Sequence, residues 1–197
     1  MTNRLPSNSH SQVSLQGHLL AASPQWEDET FSRTVCLILQ HSEDGAVGVV
    51  LNRTLKENIA GLWQQLGASE QQASIRTVHL GGPQSGPVVA VHGCRELAEF
   101  EGGDGVYMAA QVDHLKQLVS EADAPDLMKI IVGQVNWGPG ELDEQFWTGR
   151  WLPLPVSARL VFADGQKMWP LALREISNRL VATMAGCTVY PSDILSN

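Results

Sequence analysis

The stretch "TVCLILQHSEDGAVGVVLN", residues 34–52, constrains the fold more than any other part of the chain. Two runs rich in Val, Leu and Ile flank Asp44-Gly45, a dipeptide suited to the tight turns that join antiparallel strands, so the segment predicts a hairpin. Just upstream, "SLQGHLLAAS" carries a short apolar run ended by Ser23-Pro24. The residue before a proline is pushed toward extended geometry, which makes this run a third strand and a neighbour of the hairpin.

From Thr54 the hydrophobic period changes. Leu55, Ile59, Leu62, Trp63 and Leu66 recur at helical spacing, Thr54 and Glu57 fit a capping box, and Gly67 stands where a helix stops. Extended character returns in "IRTVHLGGPQSGPVVAVHG", two runs around a Gly-Gly-Pro turn, and in "VYMAAQV". "VDHLKQLVSEA" puts Val112, Leu115, Leu118 and Val119 on one helical face, and "MKIIVGQV" reads as a strand. After Trp137-Gly138-Pro139-Gly140, "ELDEQFW" begins a short helix with an acidic first turn, and Gly149 ends it. "WLPLPV" reads as an extended link and "ARLVF" as a strand. Asp164-Gly165 turns into a last helix striped by Trp169, Leu173, Ile176, Leu180 and Met184.

Strands thus arrive in runs as well as alternating with helices, which predicts an α+β fold: a single domain with a mixed, curled or barrel-like β-sheet flanked by helices. With 197 residues, 43% of them hydrophobic, the chain can bury one sizeable core. Residues 1–14 are polar and read as a disordered arm, 15–186 as the domain, and 187–197 as a tail. The opening residues lack the apolar core of a secretory signal, and no apolar run approaches the roughly 18 residues of a membrane span, so a cytoplasmic location is expected.

Three cysteines, far apart and without C-x-x-C spacing, argue against a disulfide framework or a cysteine zinc site. Cys36, inside "TVCLIL", reads as a small buried hydrophobe. The net charge of −8 and the absence of a basic cluster argue against direct nucleic-acid binding, unless folding gathers Arg33, Arg53, Arg76 and Arg95 on one face.

Signatures of familiar chemistry are missing: there is no G-x-S-x-G elbow, no phosphate-binding Walker loop, no H-E-x-x-H and no G-x-G-x-x-G. The six histidines show no metal-ligand spacing, although His79 and His92 are placed to face each other across the Gly-Gly-Pro turn. No metal and no cofactor is implied. Gly81 and Gly82 supply backbone N–H groups suited either to an anion-binding nest or to a tight turn. Gly138 and Gly140 either present a helix N-terminus to an anion or simply redirect the chain, and Glu141 and Asp143 right after them favour the second. Trp137, Trp147 and Trp151 suit a core, a ligand cleft or a protein interface. Asp28, Arg33, Asn52 and Arg53 flank strand ends as the best polar cluster, where arginine and carboxylate can pair or lock the fold.

The ordered series "GHLLAASPQWEDETFSRTV", "DGAVGVVLNR", "HLGGP" and "WGPGELDEQF" resembles the AlgH/YqgE family of bacterial proteins, a domain of unknown function. The similarity spans roughly residues 15–185 and includes Gly17, Pro24, Asp28, Arg33, Asn52, Arg53, Gly81, Gly82 and the Trp137-Gly138-Pro139-Gly140 turn. Members commonly carry proline at the position of Thr54, and Gln then Glu at those of Glu141 and Asp143. The resemblance implies a compact α+β domain with a barrel-like sheet and a frequent label of transcriptional regulator, with no assigned DNA-binding motif or catalytic residues.

Three readings follow. The first is a regulator acting through a protein partner or small ligand, with Asp28, Arg33, Asn52, Arg53, Gly81, Gly82, Trp137, Gly138 and Gly140 as the binding candidates. The second is an enzyme that holds an anionic small molecule at Arg33 and Arg53 and moves a proton with a nearby His or Asp. The third is a regulator that binds DNA directly.

Overall fold

The computed structural model of the protein describes residues 14–55, 60–67, 77–120 and 127–186. Their strands form two five-stranded sheets. The first is wholly antiparallel, in the order β10-β1-β2-β3-β9, with β1 at His18–Ala22, β2 at Val35–Ser42, β3 at Gly45–Val50, β9 at Val135–Trp137 and β10 at Trp151–Pro155. The second runs β4-β8-β5-β7-β6, with β4 at Val78–Leu80, β5 at Val89–His92, β6 at Phe100–Gly103, β7 at Val106–Ala109 and β8 at Met128–Val132. Only β4 and β8 are parallel there, so the α+β domain has mixed pairing. The one curled sheet expected from sequence is two sheets, and they do not close into a barrel.

The expected hairpin is β2–β3, with Ser42 opposite Gly45 and a register shift between Ile38 and Gln40. Nearly every residue of β1 and of the first half of β2 is buried, because both faces of the sheet are covered. That explains continuous apolar runs where a half-exposed strand would alternate. On one face Leu19, Ala21, Leu37 and Val49 join Val91, Val106 and Ile131 of the second sheet in a common core. On the other, Leu20, Cys36 and Ile38 meet Trp137, Trp151 and Leu142.

Among the described residues, five α-helices cover these layers. α1 (Ala60–Gln65) and α2 (Val112–Ser120) lie on the outer face of the second sheet, with Trp63, Leu66, Leu115, Leu118 and Val119 packed against Val78, Ala90 and Ile130. α3 (Glu141–Trp147) packs on the outer face of the first sheet through Leu142. α4 (Ala158–Val161) and α5 (Gly165–Met184) supply Leu160, Val161, Met168 and Ala172 to the common core.

Several local expectations are corrected. Thr54 bridges His79, and the Leu55 N–H goes to the Val78 carbonyl at 2.9 Å. Glu57 and Ile59 of the expected capping box and stripe lie outside the described residues. The stop at Gly67 is present, with φ of 71°. "WLPLPV" is the edge strand β10, where Pro153 and Pro155 sit without costing the sheet an interior ladder bond. "ARLVF" is helical because the Ser157 hydroxyl accepts the Leu160 N–H at 3.3 Å and starts α4. "MKIIVGQV" is two strands in two sheets, parted at Gly133 with φ of 80°. Finally, β4 and β5 do not pair across the Gly-Gly-Pro turn, because β8 lies between them. In α2 the buried face is Leu115, Leu118 and Val119, while Val112 is exposed. In α5 the buried positions are Met168 and Ala172, and Leu180 and Met184 are exposed.

Candidate functional site

The polar cluster predicted beside the strand ends is present as a clamp. Asn52 ends the β2–β3 hairpin; its Oδ1 accepts the Val35 N–H at 2.9 Å and its Nδ2 donates to the Arg33 carbonyl at 2.9 Å. Between those two bonds Arg33 adopts a left-handed backbone, φ 58°, a conformation that is strained for a residue with a side chain. Its guanidinium lies 5.9 Å from the Trp169 ring centre on α5. Arg53 donates to the Glu29 carbonyl at 3.4 Å. Asp28 makes no ion pair with either arginine; its Oδ1 accepts the N–H groups of Thr30 and Phe31, both at 2.8 Å. These four residues are neighbours in the fold, each with a bonding role in the turns before β2 and after β3.

Gly81 and Gly82 lie where two backbones meet. Val50 donates to the Gly81 carbonyl at 2.7 Å while Gly81 donates to Val132 at 2.8 Å, so the strap ties the end of β3 to β8. A Cβ on Gly81 would come within 2.2 Å of the Gly133 oxygen, and one on Gly82 equally close to the Gln134 oxygen. Close approach, rather than turn flexibility alone, requires glycine here. The Gly81 N–H is therefore already used within the fold.

The Trp137-Gly138-Pro139-Gly140 turn feeds α3, with Gly140 as its left-handed N-cap at φ 71°. Behind it runs a chain of hydrogen bonds. The Glu141 carboxylate accepts the Gly138 N–H at 3.0 Å and the Gln145 side-chain amide at 3.3 Å. Gln145 Oε1 in turn accepts the indole N–H of Trp137 at 3.0 Å and of Trp151 at 2.9 Å. Trp137 and Trp151 are buried, stacked edge to face with Phe31 and Trp26 around them. On the same helix Asp143 reaches His41, 3.3 Å away, whose other ring nitrogen meets the Leu15 N–H at 3.0 Å. Trp147, by contrast, is 62% exposed beside Phe146.

Sequence reasoning passed over a fourth place. Lys129 on β8 is buried, with its Nζ 3.3 Å from His79 Nε2 and 3.3 Å from the Ala163 carbonyl. Burial pushes Lys129 below the ordinary lysine range, against the pull of Asp164. Burial first, and Lys129 second, lower His79 to about 4. His79 Nδ1 faces the Ile130 backbone without a well-formed hydrogen bond. The signal was available: a lysine inside "LMKIIV", alternating in register with Ile131, must point the same way as a core residue.

His92 is on the opposite face of the second sheet from His79, so the two do not meet. It accepts the Cys94 N–H at 3.3 Å, its Nε2 has no partner, and burial lowers its pKa. Nearby, Glu99 caps α2. Burial works against its charge, but the N–H groups of Gln111 and Ala110, with His114 at 2.9 Å, hold it below the usual carboxylate range. Among the described residues no group of three or more His, Cys, Asp or Glu is arranged to hold a metal, and no helix is long and apolar enough to cross a membrane. Cys36 is buried and burial pushes its thiol up to about 12, as suits an inert hydrophobe.

These features define a two-sheet α+β protein whose buried polar residues chiefly hold its own backbone. The chain belongs to the AlgH-like family, whose model, described as DUF179, matches residues 19–181. A UPF0301 protein of Stenotrophomonas maltophilia is 35% identical over 157 residues, 76% of this chain and 82% of that one. One from Chlamydia abortus is 28% identical over 186 residues, covering 92% and 95%. In fold, the chain is similar to the solution structure of the AlgH protein from Pseudomonas aeruginosa, at TM-score 0.66 and 22% identity over 97% of this chain and all of that one. A crystal structure of a Corynebacterium diphtheriae protein matches at TM-score 0.61 and 24% identity, over 89% of this chain and 90% of that one.

Proposed function

We propose that the protein is a regulatory protein that acts by binding a protein partner, through the face formed by the Gly138–Gly140 turn and α3. The observation that carries this reading is Trp147. Its helix is anchored on the inner side by Gln145 and Leu142 and through Asp143 by His41, while the tryptophan itself stands 62% exposed at the end. A large aromatic displayed from a fixed helix is the residue type that dominates binding at protein interfaces, because little ordering is needed on contact. The surrounding Glu141 and Glu144 are exposed and favour a partner with a basic rim.

The test is photocrosslinking in cells from a reactive residue placed at position 147, with position 178 on α5 as the control. A discrete adduct from 147 and not from 178 is the expected result; equal adducts, or none, would sink the assignment. The enzyme reading has less support, since Arg53 is bonded to the Glu29 carbonyl and Arg33 stacks on Trp169. Direct DNA contact has less still. Arg150 lies over Trp26, Arg179 pairs with Glu175, and Arg95 opens a 3-10 turn packed against the outer face of the second sheet; Arg76 lies outside the described residues. Fluorescence anisotropy with mixed-sequence duplex DNA separates these readings: binding that falls steeply with salt would favour DNA.

A further inference from the structure

A groove of about 450 Å³ opens between α4 and α5, beside the turn that joins β6 to β7. Its volume falls within the roughly 300–1,000 Å³ of small-molecule sites. Arg159 of α4 and Arg174 of α5 both line it, with Ser157 and Asn178 as further hydrogen-bonding groups and Leu160 and Leu171 as apolar lining. Two carboxylates are present as well, but each is engaged. Asp104 Oδ2 accepts the Ala158 N–H at 3.1 Å, and Glu175 Oε1 lies 3.7 Å from the Arg179 guanidinium. Neither Arg159 nor Arg174 has an ion-pair partner among the described residues. Two guanidiniums without an ion-pair partner thus line one groove in a protein of net charge −8, and a guanidinium is the side chain best suited to hold an oxyanion.

We propose that this groove binds a small organic acid, its carboxylate or phosphate held between Arg159 and Arg174 and its apolar body laid against Leu160 and Leu171. The groove includes no residue of the α3 face, so this site and the partner reading stand or fall separately. Among the lining residues the arginines are exposed, while Leu160 is buried.

The experiment is an amide NMR titration of the full-length protein at low ionic strength with phenyl phosphate, benzoate and inorganic phosphate. Saturable shifts at Asp104, Ala158 and Asn178 are expected, with inorganic phosphate weakest because it has no apolar body. Comparing phenyl phosphate with benzoate tells whether phosphate or carboxylate is preferred. R159Q and R174Q should each weaken binding about tenfold, the loss of one charge-assisted bond, whereas R95Q, which is not part of the groove lining, should leave it unchanged. Both arginines are exposed, and the dispersion of each variant's spectrum confirms its fold. Non-saturating shifts with all three probes, or equal weakening by R95Q, would overturn the proposal.

Discussion

Gln145 and Lys129 are both polar side chains with little exposure, 7% and 6%, yet their surroundings are built on different terms. Around Gln145 the bonds close: two indole donors meet one amide oxygen, the amide donates to Glu141, and Glu141 accepts the turn at Gly138. Around Lys129 they do not, because its nearest partners are a second basic side chain and a carbonyl, and His79 keeps a nitrogen without a well-formed bond. A closed network repays its own desolvation and fixes one geometry; an open basic pair leaves a cost that depends on protonation. The Gln145 network is therefore expected to hold one geometry, and the β4–β8 edge to respond to acid.

The largest break in that contrast comes from Q145L. It leaves two buried indole N–H groups without an acceptor, at a cost of about 4 kcal/mol in urea unfolding. Next is the acid response itself. An exposed histidine titrates near 6.5, and His79 in the fold near 4, so as pH falls through that window the unfolded chain takes up a proton that the native protein refuses. Stability that is intact above pH ~6.5 should decline down to pH ~4, with His79 accounting for up to about 3 kcal/mol. The wild-type curve compared with that of H79N measures that share, and identical slopes would refute it. K129M should change stability at pH 7 by only about 1 kcal/mol, in either direction, because an apolar side chain replaces a costly buried cation. It should also shrink the acid slope, since Lys129 helps to lower His79. W147A should cost less than about 0.5 kcal/mol, because the side chain is mainly exposed; a larger loss would make Trp147 part of the α3 network instead of its outward face.

The sequence made one side of this comparison legible and hid the other. Asp44-Gly45 signalled β2–β3, and the acidic start of α3 was readable because caps and turns are local chemistry. The role of Gln145 was not, since its partners Trp137 and Trp151 lie on two strands at opposite edges of the first sheet. His79 and His92 look like hairpin partners in the chain, but β8, from some forty residues further on, lies between their strands, and they face opposite sides of the sheet. "ARLVF" misled for another reason: five residues carry too little periodicity to separate strand from helix, and one serine hydroxyl decided. Of the candidate residues, the Asp28–Arg53 group lies together in the turns around β2 and β3, and what joins Arg33 to Asn52 is a carbonyl rather than an ion pair. Arg159 and Arg174 gave no signal because their groove exists only once α4 and α5 pack.

The pairing of β1 has a consequence for how the chain is made. One edge of β1 is covered by β2, which follows within twenty residues, but the other waits for β10 at Trp151–Pro155. During synthesis from the N-terminus, a β1–β2–β3 meander is complete while β9 and β10 have yet to emerge, and both of its flanks expose unpaired backbone. At roughly 5–20 residues per second that interval lasts on the order of ten seconds. A nascent chain of this protein is therefore expected to offer a sticky apolar sheet to its surroundings for about half of its translation, which places its exposure to aggregation at the ribosome-bound stage.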